Sequence, residues 1–443
     1  MRYVIIGSSA AGISAAEELR KLEQSAEITV ISMEEHIYSR CMLHKYLSGE
    51  RTVETMEFIR DGFFAELGIQ FLGGRRVVSI QETAHTLVLE DGGQIPYDKL
   101  LIAAGASYYI PPISNFREAK NVLGFRGMDD ADKILRATAK PGIRVVVIGA
   151  GLIGLDAAYG LEKRGCKVTL IEKEPYLMPL QTDEYVSELY KQAFERAGCK
   201  IMLGAEVKDS VLDDDERISS VILEDGTDVP CDFVVAATSV KPRMEFLDGT
   251  SIQALYMNYH IHTVLSRFLK KTDIHVNKGL EVDRQMRTSS PDIYAAGDVT
   301  GLSAIWPDAK RMGKIAAANM CGKGAENPDF YQYKNMANFY GIVMFSAGKT
   351  RVDEKRYEVL VRRSRGSYRK LIIKDGVLEG VLMVGDISNA GVYLHAVSHH
   401  LNIEKVRGHL FRLSFADWYG YDEKNGEFCY HIEEQGRYER FGE

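Results

Sequence analysis

Gly149-Ala150-Gly151-Leu152-Ile153-Gly154, set between the β-branched run 144–148 and the small-residue amphipathic segment Leu155 to Arg164, is the stretch whose reading decides the fold. Glycines spaced as G-x-G-x-x-G between a strand and a helix each have a physical task. The first makes a tight turn, the second lets backbone approach a pyrophosphate, and the third lets helix and strand pack closely. The exposed amides and the positive dipole end of the helix then hold the anion. Gly149, Gly151 and Gly154 fill these roles, with Leu152 and Ile153 completing the turn. The next apolar run, Val168 to Ile171, ends on Glu172, eighteen residues past Gly154. A carboxylate there accepts hydrogen bonds from ribose hydroxyls and repels a 2′-phosphate, so the pattern favours NADH over NADPH, with Lys173 pulling the other way.

The same grammar opens the chain. Residues 2–6 form a β-branched run, Gly7-Ser8-Ser9-Ala10-Ala11-Gly12 keeps the outer glycines with Ser9 at the middle position, Ile13 to Leu22 reads as a helix, and Ile28 to Ile31 as a second strand. Glu34, or Glu35 beside it, follows that strand where a carboxylate would meet a ribose 2′-hydroxyl; solvated acids at a strand end are the plainer alternative. Two strand-turn-helix-strand units therefore sit in one chain, and the fold class is α/β with two Rossmann-like dinucleotide-binding domains.

Pro111-Pro112 breaks the chain between them, because proline lacks an amide donor and restricts its predecessor. The expected domains are 1–112 with 247–325, then 113–246, then 326–443. In the last of these, runs such as Tyr357 to Val361, Tyr368 to Lys374 and Leu378 to Val384, with Asp375-Gly376 as a turn, predict a C-terminal α+β domain. An insertion at about 249–273 has the apolar period of an amphipathic helix or two, packing on its own domain or docking a partner.

Composition removes several functions. The net charge of −7 argues against nucleic acid. No apolar run reaches the roughly 18 to 20 residues of a membrane helix. The N-terminus runs straight into a strand without the features of a secretory signal, which gives a cytoplasmic expectation. Six cysteines without a C-x-x-C pair disfavour a disulfide framework, zinc or an iron-sulfur cluster, and no metal site is expected.

A third segment, Thr288 to Asp298, places an apolar strand before Gly297-Asp298. Both glycine turns, the Ala-Gly turn at Gly105 and this late Gly-Asp together resemble the two-dinucleotide-binding-domain flavoproteins of the pyridine nucleotide-disulfide oxidoreductase superfamily, over residues 1–325. The resemblance implies FAD in the first unit, at Gly7, Ser9, Ala10, Ala11, Gly12, Glu34 and Gly105, with Asp298 on the ribityl chain, and NAD(P)H in the second. Ser9, Ala104 and Ser239 replace the family's usual glycine, threonine and glycine. Trp306, opening a helix that points at the flavin in relatives, is expected to flank the ring or to fill core.

Tyr38-Ser39-Arg40-Cys41-Met42-Leu43-His44-Lys45 resembles the Tyr-Ser-Arg-Pro-x-Leu segment of NADH:rubredoxin, ferredoxin and nitrite reductases, with Cys41 replacing proline. Coenzyme A disulfide reductases, NADH oxidases and NADH peroxidases carry one redox cysteine at the corresponding place, which makes Cys41 a candidate. Ala10, however, stands where the peroxidases and oxidases carry an active-site histidine. Lys45 matches a lysine near flavin N5 in ferredoxin reductases, and Asp156 the glutamate that pairs with it. The resemblance thus implies an NADH oxidoreductase passing electrons through FAD to a small redox protein or partner subunit. The alternatives are a single-cysteine disulfide or peroxide reductase and a non-catalytic flavin-bound scaffold. Relatives with such C-terminal domains are often homodimers.

Overall fold

Tyr3, Val4, Ile5 and Ile6 are all buried, which is what a central strand of a parallel sheet covered on both faces requires. In the computed structural model, which describes residues 1–254, 279–327, 334–422 and 427–430, the strand Arg2–Ile6 is that centre. Its sheet runs Ile293–Ala295, Lys99–Ile102, Arg2–Ile6, Glu27–Ile31, Gln70–Leu72 in space, with parallel pairing throughout. The order reverses beside Arg2–Ile6, and ligands of open α/β sheets bind at such a switch point, outside the carboxyl ends of the strands.

The alanine-rich helix Ala10–Leu22 covers one face together with the helix Trp306–Met320. The two cross closely at Ala11, because a Cβ on Gly313 would lie 2.1 Å from the Ala11 carbonyl oxygen. The antiparallel meander Val77–Gln81, Thr86–Leu89, Gln94–Pro96 contributes Ile80, Leu87 and Leu89 to the core on the other face. Contacts group Met1–Ile110, Gly124–Arg136 and Ser239–Tyr331 into this unit.

The second unit groups Pro111–Leu123, Ala137–Thr238 and Gln332–Glu443. It repeats the plan with Lys200–Leu203, Lys167–Glu172, Arg144–Ile148, Phe233–Ala236 and an edge strand Val122–Gly124, followed by its own meander Val207–Leu212, Ile218–Leu223, Asp228–Pro230. The expected C-terminal strands are present as Glu358–Ser364, Ser367–Lys374 and Val377–Val384 in a five-stranded antiparallel sheet, backed by the helix Ala390–Ser398. Asp375 (φ 50°) and Gly376 (φ 74°) both have positive φ, the geometry of a tight hairpin that matches strand twist.

This sheet has its own core yet joins the nucleotide-binding half of its unit through polar contacts: Tyr190 donates to the Ile342 carbonyl at 2.9 Å and Tyr340 to Glu162 at 3.0 Å. Of the insertion at 249–273, residues 255–273 lie outside the described residues; Ile252 is buried and Ala254 bridges Leu280.

Candidate functional site

Two glycine turns are built alike. Gly7 has φ 111°, and a Cβ there would lie 2.2 Å from the Ala103 carbonyl oxygen; a Cβ on Gly12 would lie 1.9 Å from the Gly7 oxygen. Gly149 has φ 97° with 2.7 Å to the Ala237 oxygen, and Gly154 would meet the Gly149 oxygen at 1.8 Å. These four positions admit no side chain. Gly151, by contrast, has nothing within 4 Å of a built Cβ, so its backbone faces open space.

The helices that follow begin at N-caps Ser9 and Gly151 with no side-chain cap hydrogen bond and no acidic residue in the first turn. The first-turn amides of each helix, those of Ala10 and Ala11 and of Leu152 and Ile153 among them, therefore have no intrahelical acceptor. They fit a pyrophosphate.

Around the first turn the sheet ends carry a charged cluster. Glu34 accepts from the Tyr38 hydroxyl at 2.6 Å and from Arg40 at 2.7 Å, so it is engaged rather than solvated. Arg40 also reaches the Arg126 carbonyl at 3.0 Å, and the Met128 amide donates to the Tyr38 oxygen at 2.8 Å. Burial works against the Arg40 charge, but Glu34, Tyr38, Asp298 and Asp130 together hold its pKa above the ordinary arginine value. Asp130 accepts from the amides of Arg126 and Gly127 at 3.0 and 2.9 Å, and burial pushes its carboxyl up. Burial and the nearby Arg40 push the Arg243 guanidinium down.

Arg126 contacts Asp298 in an ion pair, while its Nε is a buried donor with no partner among the described residues. Buried donors are normally satisfied, so this orphan marks a place for a ligand acceptor. Gly297, with φ 81°, would put a Cβ 3.1 Å from that of Ala11, which sets the Gly-Asp turn against the helix start. Gly105, at φ 70°, accepts from the Arg243 amide at 3.0 Å. Ala11 is thus small for packing, wedged near both Gly297 and Gly313. The sequence reading missed Arg126, Asp130 and Arg243. The signal for the first two was faint: a basic residue just ahead of the acidic start of the helix Met128–Ala137.

At the second turn Glu172 is 9% exposed and accepts from the Ala150 amide at 2.7 Å and the Glu174 amide at 2.9 Å. Its carboxylate is therefore fixed against the glycine turn, and spare lone pairs on its oxygens can accept further hydrogen bonds.

Cys41 is exposed, in no disulfide, in the single turn Arg40–Met42. Burial, then the charge of Lys45, lowers the His44 pKa to about 4, so this imidazole is neutral at pH 7 and supplies no positive charge to a Cys41 thiolate. Lys45 is ion-paired with Glu50 at 2.6 Å; Asp156 lies half-buried in the helix Leu152–Lys163 of the second unit. Trp306 packs edge-on against Phe58 at 4.7 Å, and Asp308, in the first turn of that helix, accepts from Ser303 at 2.7 Å. Among the described residues no cluster of His, Cys, Asp and Glu could hold a metal, and no helix is long and apolar enough to cross a membrane.

Two parallel sheets, each with a glycine turn that fits a dinucleotide, define a protein with two dinucleotide-binding folds. Residues 1–320 match the family model for pyridine nucleotide-disulphide oxidoreductases, and residues 334–400 match the rubredoxin NAD+ reductase C-terminal domain. The chain belongs to the pyridine nucleotide-disulphide oxidoreductase family, whose members are FAD-containing, NAD(P)H-dependent oxidoreductases.

It is 31% identical to the epsilon subunit of NADH-dependent phenylglyoxylate dehydrogenase from Aromatoleum evansii, over 92% of this chain and 93% of that protein. It is 28% identical to the NAD(P)H nitrite reductase of Bacillus subtilis over 91% of this chain, but spans only 48% of that protein. Among solved structures, the covalent putidaredoxin reductase-putidaredoxin complex superposes with a TM-score of 0.74 at 25% identity, covering 90% of this chain and 94% of that one.

Proposed function

We propose that the protein oxidises NADH and delivers electrons singly to a small redox protein or a partner subunit in the cytoplasm, with FAD on the Gly7 turn and NADH on the Gly149 turn. The observation that carries this reading is the first-unit cradle: uncapped helix amides at the Gly7 turn, and an Arg126 whose Nε has no partner among the described residues. When bound, FAD accepts an electron pair and releases electrons one at a time. The chain's own residues orient and neutralise. Arg126 and the amides of Ala10 and Ala11 would hold the diphosphate, Asp298 the ribityl hydroxyls, and Glu34 the adenosine ribose, with Arg40 fixing Glu34 through the observed pair. Gly149, Gly151 and Gly154 would let the NADH diphosphate approach, with Glu172 accepting its ribose hydroxyls. Lys45 is assigned to the flavin N5 side, where an ammonium favours hydride arrival.

The relatives support the acceptor class. One is named as a subunit of a larger dehydrogenase, and one solved neighbour is seated on a redoxin. The competing assignment, Cys41 as an electron relay to disulfides or peroxide, has the exposure of the residue in its favour. Cys41→Ser separates the two. NADH-driven reduction of a one-electron dye and of an added ferredoxin or rubredoxin is expected to stay within about twofold of wild type, since the thiol takes no part. Wild-type reduction of a disulfide or peroxide that is abolished in Cys41→Ser while dye reduction stays intact, with no reduction of ferredoxin or rubredoxin by either protein, would overturn the reading in favour of the relay.

A further inference from the structure

The loop 173–183, which leaves Glu172 and leads into the helix Glu184–Arg196, is held from the antiparallel-sheet half of its own unit, and the geometry points to Arg351, Tyr368 and Lys370 as positioning residues for the pyridine nucleotide. The inference rests on the assignment of NADH to the Gly149 turn.

The loop and the glycine turn are tied together. Glu172, at the end of its strand, accepts from the Ala150 amide, and the Met178 amide donates to the Ala150 carbonyl at 2.8 Å, so the two polar groups of Ala150, between Gly149 and Gly151, are set by Glu172 and by the loop that leaves it. Met178 is fully buried at φ 47°, a left-handed conformation that a residue with a Cβ adopts only when its surroundings impose it. Thr182 donates to the Leu177 carbonyl at 2.6 Å, and the Leu177 amide to Ser187 at 2.8 Å. A displacement of this loop therefore moves Ala150 and, with it, the place where the diphosphate would sit.

The contacts from the other half converge on the same loop. Thr350 donates to the Leu180 carbonyl at 3.3 Å. Arg351 donates to the Pro179 carbonyl and lies over the Tyr176 ring at 4.6 Å. Tyr368 and Lys370, two apart on the strand Ser367–Lys374 and hence on one face of the sheet, both meet Oδ2 of Asp183, the hydroxyl at 2.5 Å and the ammonium at 3.2 Å.

The other carboxylate oxygen of Asp183 caps the next helix at the Val186 amide, 3.0 Å away. The side chains of Lys370 and Asp183 are only 11% and 8% exposed, so water screens this pair weakly and it holds its geometry. The two halves also meet through Tyr190 and Tyr340, at the helices Glu184–Arg196 and Leu152–Lys163. Thr350, Arg351, Tyr368 and Lys370 instead bind the carbonyls and the carboxylate of the segment that fixes the nucleotide turn.

The test uses the full-length, FAD-loaded protein and ADP-ribose, which has the diphosphate and both riboses but no reducible ring. Calorimetry on wild type, Arg351→Ala, Arg351→Lys and Tyr368→Phe gives affinity without turnover. Arg351 is exposed, so its removal leaves folding intact, and Tyr368→Phe deletes one oxygen. The dissociation constant is expected to rise about five- to tenfold in Arg351→Ala and Tyr368→Phe, with Arg351→Lys in between. The KM for NADH should rise by the same factor, with kcat at saturation and FAD content unchanged. Affinities within about twofold of wild type in both Arg351→Ala and Tyr368→Phe would overturn the inference, as would a fall in kcat with affinity unchanged. Wild-type protein that fails to bind ADP-ribose would instead overturn the assignment of NADH to the Gly149 turn, and the positioning role with it.

Discussion

The two glycine turns solve one packing problem in the same way and then treat their surroundings differently. In each, the last glycine sits under 2 Å from the carbonyl oxygen of the first when given a Cβ, so strand and helix touch through bare backbone. The middle position differs: Gly151 faces open space, whereas Ser9 puts a hydroxymethyl group there. The acids differ too. Glu34 is held by side chains, Tyr38 and Arg40, from the Tyr38 to Lys45 segment, whereas Glu172 is held by backbone amides of its own turn. The first site is thus closed by charged groups from distant parts of the chain, Arg40, Arg126 and Asp298 among them, and the second is closed by its own loop. Such a contrast suits a cofactor that stays in place in the first site and a nucleotide that exchanges at the second.

That contrast can be broken at its charged side. Arg126→Ala removes the partner of Asp298 and the orphaned donor together. FAD affinity, measured by titrating apoprotein with FAD, is expected to fall by about 2 kcal/mol, or roughly thirtyfold, with ADP-ribose affinity unchanged.

Glu172→Gln probes the other side. It keeps the shape and one acceptor but removes the negative charge that opposes a 2′-phosphate. The ratio of kcat/KM for NADH to that for NADPH should fall about tenfold, while FAD content stays constant. Ser9→Gly makes the first turn like the second, and its effect is the smallest: FAD affinity within about threefold of wild type, because only one small, half-buried side chain is removed from a turn whose backbone is already set. A larger change would mean that the Ser9 side chain takes part in binding.

The strand-turn-helix units were legible because their signals are local. Helices expected at Ile13 to Leu22 and Leu155 to Arg164 are observed as Ala10–Leu22 and Leu152–Lys163, starting a turn earlier because Ala10-Ala11-Gly12 and Leu152-Ile153-Gly154, which end the glycine motifs, already form the first helical turns. The C-terminal hairpin was legible for the same reason, through Asp375-Gly376. Arg126 was not, because its role depends on the chain returning from residue 124 to meet Tyr38, Arg40 and Asp298, contacts far apart in sequence that no local period encodes. Glu34 was read as a ribose acceptor or a solvated acid; its engagement by Arg40 and Tyr38 needed the fold of the Tyr38 to Lys45 segment. Nor could periodicity show that the C-terminal sheet holds the loop after Glu172, since those contacts run through carbonyls at Pro179 and Leu180.

The central claim is that flavin is the one redox centre between NADH and a single-electron acceptor. An anaerobic titration of the purified, FAD-loaded protein with NADH tests it most directly, by counting electrons taken up per FAD and recording the long-wavelength spectrum. About two electrons per FAD with no thiolate-flavin band is the expected result. Uptake of about four electrons, or a thiolate-flavin band that disappears in Cys41→Ser, would contradict the claim and make Cys41 a second centre.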